Sequence, residues 1–228
     1  MSIIVRTEAE PTGPNIDSLP QLIELLPVAG YAHRWHASSI AVGDNQPISE
    51  WADLVGDVPL VGAGPVATTV AGHRVLEFDG VNDFLGVEGL ADQQSIVLLC
   101  RVLTPTGTAA GILNSPGTAL ALSRGTSGLT AFNFPTSGVV TITNQLTGWT
   151  VVILTYSASS GWLQLNGSSQ ATTYAGSKTF TSLQLGKNAS AFGRIQVAEM
   201  TTWTTLLSTP DRTALVAHLQ AAYPELFA

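Results

Sequence analysis

The chain has 228 residues, a net charge of −7 and a single cysteine, and charged residues make up only 11% of it. Nine Lys and Arg residues scattered along the chain supply no basic face to neutralise phosphates, which excludes a nucleic-acid binder. Cys100, in the apolar run SIVLLCRV, has no partner for an internal disulfide and reads as a buried small hydrophobe rather than a reactive thiol.

Residues 1–30 read as an N-terminal arm with a short helix. Pro11, Gly13 and Pro14 interrupt residues 1–17, which show no sustained periodicity. Ser18 with Gln21 has capping-box spacing, Leu22, Ile23, Leu25 and Leu26 give the helix an apolar side, and Pro27 ends it. The opening MSIIVRTEAEP lacks a basic segment followed by a long apolar stretch, so the chain is expected to be made and kept in a cytoplasm or in something assembled there. Apolar runs such as TVVIL are far too short to span a bilayer, so no membrane insertion is expected.

From residue 31 the texture becomes strands and turns. Val, Ile, Leu, Thr and aromatic residues between turn residues predict strands at Ala32–Ala37, Val75–Phe78, Ser95–Leu103, Ala119–Ser123 and Leu129–Phe134. The same pattern continues at Val139–Thr143, Thr150–Ser157, Trp162–Asn166, Ser182–Leu185 and Arg194–Trp203. Asn166-Gly167 is a tight-turn signal, because both central residues of that hairpin turn need positive φ, and Ser159-Ser160-Gly161 is a second hairpin connection. Many short strands without intervening helices imply a sandwich or a barrel. One helix closes the chain: Ser208 or Thr209 caps it, Pro210 and Asp211 suit its first turn, and Leu215, Leu219 and Tyr223 share a face. Pro224 is expected to stop it.

The order of segments carries a resemblance. RWHASSI at 34–40, ISEWADL at 48–54, VLEFDGVNDFL at 75–85, GWTVVILTY at 148–156, WLQLNG at 162–167, LQLGKN at 183–188 and GRIQVAEM at 193–200 precede the closing helix. This series resembles the concanavalin A-like lectin/glucanase superfamily in its laminin G-like form, especially the versions in phage and bacterial surface proteins, over residues 31–226. The resemblance implies an all-β jelly-roll of two antiparallel sheets over residues 31–228, one sheet often concave, whose face or rim loops can bind sugars. It implies a non-enzymatic structural protein of a bacteriophage virion, a minor tail or tail-tip protein, with host-glycan binding as an added role. Capsid decoration, or a carbohydrate-binding module of a bacterial surface protein, is the alternative. The implied location is the virion, assembled in the host cytoplasm, and the implied partners are other virion proteins, further copies of the chain and a cell-surface glycan.

Candidate chemistry is sparse. Glu77 and Asp79 have the i, i+2 spacing of a glucanase strand, but Val81 and Asn82 stand where a further glutamate is needed, and Asp79 opens a predicted turn. No catalytic residue is therefore assigned. Asp79, Asn82 and Asp83 form an oxygen-rich cluster, the one place where calcium, held at rim loops by relatives of this kind, would bind; turn chemistry on their own backbone is the simpler reading. No other cofactor is expected. His33 and His36 lie three apart, on opposite faces of a strand, without a third metal ligand nearby in sequence. Of five tryptophans, Trp35, Trp149 and Trp203 are expected in the core, which leaves Trp51 and Trp162 as candidates to stack on sugar. The arm is expected to dock on a neighbouring subunit: Ser2, Ile3, Ile4 and Val5 suit strand addition to an exposed edge, and Leu22, Ile23, Leu25 and Leu26 suit a second apolar anchor.

Overall fold

The computed structural model describes residues 25–105, 107–116, 120–127, 129–133, 139–143, 146–156, 160–173, 180–188 and 191–228. Chain order gives β1 (His33–His36), β2 (Gln46–Pro47), β3 (Glu50–Trp51), β4 (Leu60–Ala63), β5 (Val66–Val70), β6 (His73–Asp79), β7 (Phe84–Gln93) and β8 (Ser95–Val102). There follow β9 (Ala110–Ser115), β10 (Leu120–Arg124), β11 (Leu129–Asn133), β12 (Val139–Thr143), β13 (Thr150–Tyr156), β14 (Ser160–Leu165), β15 (Ser168–Thr173), β16 (Phe180–Leu185) and β17 (Arg194–Trp203). The helices α1 (Thr209–Ala222) and α2 (Pro224–Phe227) close the chain.

The strands form two antiparallel sheets. Sheet A runs β15-β14-β13-β8-β17-β6-β5-β2, with β1 also paired to β17; sheet B runs β12-β11-β10-β9-β16-β7-β4-β3. This is an all-β, two-sheet jelly-roll sandwich. The expected Asn166-Gly167 turn joins β14 to β15, with φ of 46° and 99°.

At the centre of sheet A, β8 and β13 are buried on both faces and read accordingly as unbroken apolar runs. Along β8, Ile96, Leu98, Cys100 and Val102 point into the core shared with sheet B, while Val97 and Leu99 point the other way, into a second apolar layer. In β13, Val152, Leu154 and Tyr156 face the shared core, while Val151 and Ile153 face the second layer. That second layer is closed by Leu215, Val216 and Leu219 of α1, with Leu26, Trp149, Trp203, Tyr223 and Leu226 around them. Sheet B alternates instead: Leu85, Leu185, Leu113 and Leu122 line up across β7, β16, β9 and β10 and are fully buried. The neighbouring row, Val61, Gly86, Gln184, Asn114 and Ala121, therefore lies on the outer face.

Ser208 is the N-cap of α1, and its capping box with Asp211 is complete: the Ser208 hydroxyl accepts the Asp211 N–H and the Asp211 carboxylate accepts the Ser208 N–H. Pro224 ends α1 as expected but also opens α2, since a proline is tolerated in a first turn. Four short strands from β2 to β5, along with β7, β9 and β15, are additions to the elements read from sequence. Residues 18–24 of the expected helix and the docking residues Ser2, Ile3, Ile4, Val5, Leu22 and Ile23 lie outside the described residues, and Leu25 and Leu26 are not helical. Leu25 is exposed, whereas Leu26 packs in the second apolar layer of its own domain.

Candidate functional site

The sequence candidates gather at one end of β6. Asp79 is the last residue of that strand, and its Oδ1 accepts the N–H groups of Val81, Asn82 and Asp83 at 2.7, 3.2 and 3.4 Å. Asp83 Oδ2 accepts the Asp79 N–H at 2.8 Å, so the two carboxylates close the DGVND turn on each other's backbone. Burial works to raise the Asp79 carboxyl, but those three N–H donors together hold it below the usual range. Burial pushes Asp83 up, its bond to Asp79 N–H opposes this, and the charge of Asp79 adds to the rise.

Asp79 and Asp83 share the wall of an open-sided cavity of about 420 Å³ with Gly64, Val66, Glu77 and Arg194. Asn82 is exposed on the outside of the turn and is not on that wall. Strand pairing assembles the rest: Arg194 lies opposite Asp79, and Val66, Glu77, Gln196 and Arg101 form one row across β5, β6, β17 and β8. Glu77 Oε1 accepts from Arg194 Nη2 at 2.8 Å and Nε at 3.3 Å, and its Oε2 accepts from Gln196 Nε2 at 2.7 Å. Both oxygens of Glu77 are thus engaged, which suits neither a proton donor nor a nucleophile. Nor does the cavity fit calcium, which wants six to eight oxygens: Asp79 Oδ1 already holds three N–H groups, Asn82 stands aside, and a guanidinium forms part of the wall. Among the described residues no group of three or more His, Cys, Asp or Glu side chains is arranged to hold a metal.

A second depression, of about 360 Å³, lies on the outer face of sheet B, which reading the sequence did not single out. Val61, Phe84, Gly86, Glu88, Pro116 and Gln184 are among the residues that line it. Asn114 Nδ2 donates to Gln184 Oε1 at 3.3 Å; Asn114 is buried, and the half-buried Gln184 keeps its amide N–H groups at the wall of the depression. The Lys187 ammonium sits 4.6 Å from the Phe84 ring centre and 5.4 Å from that of Phe192. The one sequence signal for this face is the alternation Leu183-Gln184-Leu185, which puts a lone amide opposite two core leucines.

The tryptophans offer no stacking platform on sheet A. Trp35, Trp51 and Trp203 are buried, and Trp149 lies buried under Arg101, whose guanidinium is 5.3 Å from its ring. Trp162 is half-buried, with Arg212 at 5.8 Å. The histidines are structural as well. His33 Nδ1 is 2.7 Å from Asp53 Oδ2, and its ring stacks on Trp35. His36 joins a buried cluster under the C-terminal helix: Ser38 N–H donates to its Nδ1, so Nε2 carries the proton and donates to Tyr223 Oη at 2.7 Å. Tyr223 donates to Glu199 Oε2 at 3.2 Å, and Arg34 Nε donates to Glu199 Oε1 at 2.7 Å. Burial lowers the His36 pKa to about 4, against the pull of Glu199.

No family model matches the chain. No curated protein matches it either. Solved structures do. A sialidase of Trypanosoma rangeli, solved with sialic acid, superposes with a TM-score of 0.65 at 16% identity over 89% of this chain and 36% of its own. The ligand-binding domain of botulinum neurotoxin serotype D, solved with N-acetylneuraminic acid, gives 0.64 at 13% identity over 83% of this chain and 51% of its own. A structure of botulinum neurotoxin type C, whose cell entry depends on two ganglioside molecules, gives 0.59 at 11% identity over 77% and 52%. The chain thus spans about a third of the sialidase and about half of the neurotoxin chains. At these identities the likeness is one of fold: a lectin-like β-sandwich.

Proposed function

We propose that this chain is a non-enzymatic glycan-binding sandwich that reads its ligand on the outer face of sheet B. The observation that carries the reading is the depression lined by Gly86 and Gln184, with the Gln184 amide held by Asn114 at its wall. Amides offer both donor and acceptor to sugar hydroxyls. The neighbouring folds solved with sialic acid, or dependent on gangliosides, support the same class of ligand. The engaged Glu77 and the turn-bound Asp79 support a binding role rather than hydrolysis.

The glycan reader belongs, in this proposal, to a bacteriophage virion, as a minor tail or tail-tip protein whose arm, residues 1–30, holds it to neighbouring virion proteins. The ordered series of laminin G-like segments supports that placement, as does the low charge, which leaves little to desolvate against partners. A glycan array with the purified protein tests the ligand. Binding that Gln184→Ala weakens at least tenfold is expected, and binding unchanged by Gln184→Ala and by Asn114→Ala refutes the sheet B site. Immunogold labelling of particles tests the placement: label away from the tail overturns it.

A further inference from the structure

The depression on the outer face of sheet B has a cationic end. Phe84 lines it, and the Lys187 ammonium lies 4.6 Å from the centre of that ring and 5.4 Å from that of Phe192. The two rings hold the charge in place and cost it part of its water shell. The chain that carries it is pinned as well. Lys187 and Phe192 face each other in an antiparallel bridge, the Gly193 N–H donates to the Gly186 carbonyl at 2.9 Å, and the Asn188 N–H donates to the Ala191 carbonyl at 2.9 Å.

What this ammonium lacks is a counter-charge. Lys187 takes part in no ion pair among the described residues, and its three N–H donors bond to none of them. In a chain of net charge −7, a held cation without an acid beside it is the exception. Glu88, the one acid on the lining, lies four residues along β7 from Phe84, about 13 Å away at the usual strand rise. The depression therefore has a cation at one end, the Gln184 amide opposite Gly86 in the middle and an acid at the other end. An anionic group is drawn to the Phe84 end and repelled from the Glu88 end. A neutral sugar makes no use of that gradient, and a dianion would want a second cation, which the lining does not supply.

We propose that the sheet B depression takes an acidic glycan, with one singly charged group, a carboxylate or a sulfate ester, against Lys187 and the sugar ring beside Gln184. This rests on the glycan-binding reading above and adds to it the charge of the ligand and the end at which that charge lies.

A glycan array of matched pairs tests it, each carboxylated glycan beside its carboxyl-reduced form and each sulfated glycan beside its desulfated form. The acidic member is expected to bind about tenfold more tightly, the size of one charge-assisted hydrogen bond. Preference within the carboxylate pairs or within the sulfate pairs then identifies the group. Lys187→Gln should remove the preference and leave the neutral members bound as before. Lys187→Arg, which keeps the charge, should keep most of it, and added salt should shrink it in the wild type. Gln184→Ala should weaken both members of a pair alike. Thermal melts check that the lysine variants remain folded. Equal binding within every pair, with Gln184→Ala still weakening both members, overturns the charge assignment and leaves the glycan site standing. So does a preference that survives Lys187→Gln or added salt. Binding of no glycan at all removes the site and this inference together.

Discussion

Acidification should loosen the seal between sheet A and the C-terminal helix, and the His36 cluster sets by how much. His36 has a folded pKa of about 4, because burial opposes its charging more strongly than Glu199 favours it, and the charges of Arg34 and His73 also lower it. The unfolded chain titrates near 6.5, so at pH 7 both states are neutral and nothing is lost. Between those values the unfolded chain takes up a proton that the folded chain refuses, and stability falls as pH falls through that window. The full loss is about 3 kcal/mol, since each tenfold difference in proton affinity between the two states is worth about 1.4 kcal/mol. That is a large share of the roughly 5–15 kcal/mol available to a domain. Below the folded pKa the protonated Nδ1 also gives up the Ser38 N–H. The carboxyls act separately: Asp53 and Asp79 are held low, so what they contribute is lost only at more acid pH, while Asp83 is pushed up and works in the opposite direction. The diagnostic is therefore a difference, with urea unfolding of wild type and His36→Gln at pH 7, 6, 5 and 4. The wild-type curve should fall more steeply below pH 6.5, and the gap between the two should change by about 3 kcal/mol across the window. A His36 imidazole titrating near 6.5 in the folded protein, with parallel stability curves for the two proteins, would refute the reasoning.

Glu77→Gln should cost no more than about 1 kcal/mol, because its Arg194 partner is largely exposed, and neither it nor the wild type is expected to cleave a polysaccharide. Polysaccharide cleavage by the wild type that this variant abolishes without unfolding would show an enzyme instead. Gly64→Ala should destabilise by at least about 1–3 kcal/mol, since φ is 105° and the new Cβ collides with Asp83 Oδ1; a thermal melt superimposable on wild type would contradict the geometry. Chelation should leave the melting temperature unchanged; a fall reversed by calcium and absent in Asp83→Ala would make the turn a calcium loop. Deleting residues 1–17 should leave a folded sandwich that fails to enter the particle, and normal incorporation of the truncated protein, scored by mass spectrometry of purified virions, would remove the arm's docking role.

The sandwich was legible because its central strands are extreme. SIVLLCRV and TVVILTY are apolar at both parities, and only burial on both faces of a sheet explains that in runs so short. The missed strands lack this signature. β7, FLGVEGLADQ, carries two glycines and two acids, and β15, SSQATT, has almost nothing apolar. Sites were harder still, because register is not written locally. Gly64 meets Asp83 only because β4 pairs with β7, and Arg194 meets Asp79 across 115 positions of sequence. Glu199 shows the limit most clearly. Ile195 and Val197 face the shared core, and strict alternation would send Glu199 there with them. A bulge between Val197 and Glu199 shifts the phase, so that Met200 takes the core position and Glu199 turns toward Arg34 and Tyr223.

The asymmetry of the two sheets then decides where recognition can occur. On sheet A the second apolar layer and α1 cover the outer face, and the arginines over Trp149 and Trp162 occupy rings that would otherwise stack on sugar. What stays open is a polar face on sheet B with a shallow depression, and a charged cavity at the end of β6. Neither encloses a ligand, and an open amide-lined surface gives up much of the burial that makes small-molecule sites tight. Weak single sites gain strength when many copies act together, by as much as about 10²–10⁴ without any new contact. A repeated display, as on a virion, is therefore the setting in which a face built like this one would recognise a cell surface effectively, which ties the proposed placement to the shallowness of the site.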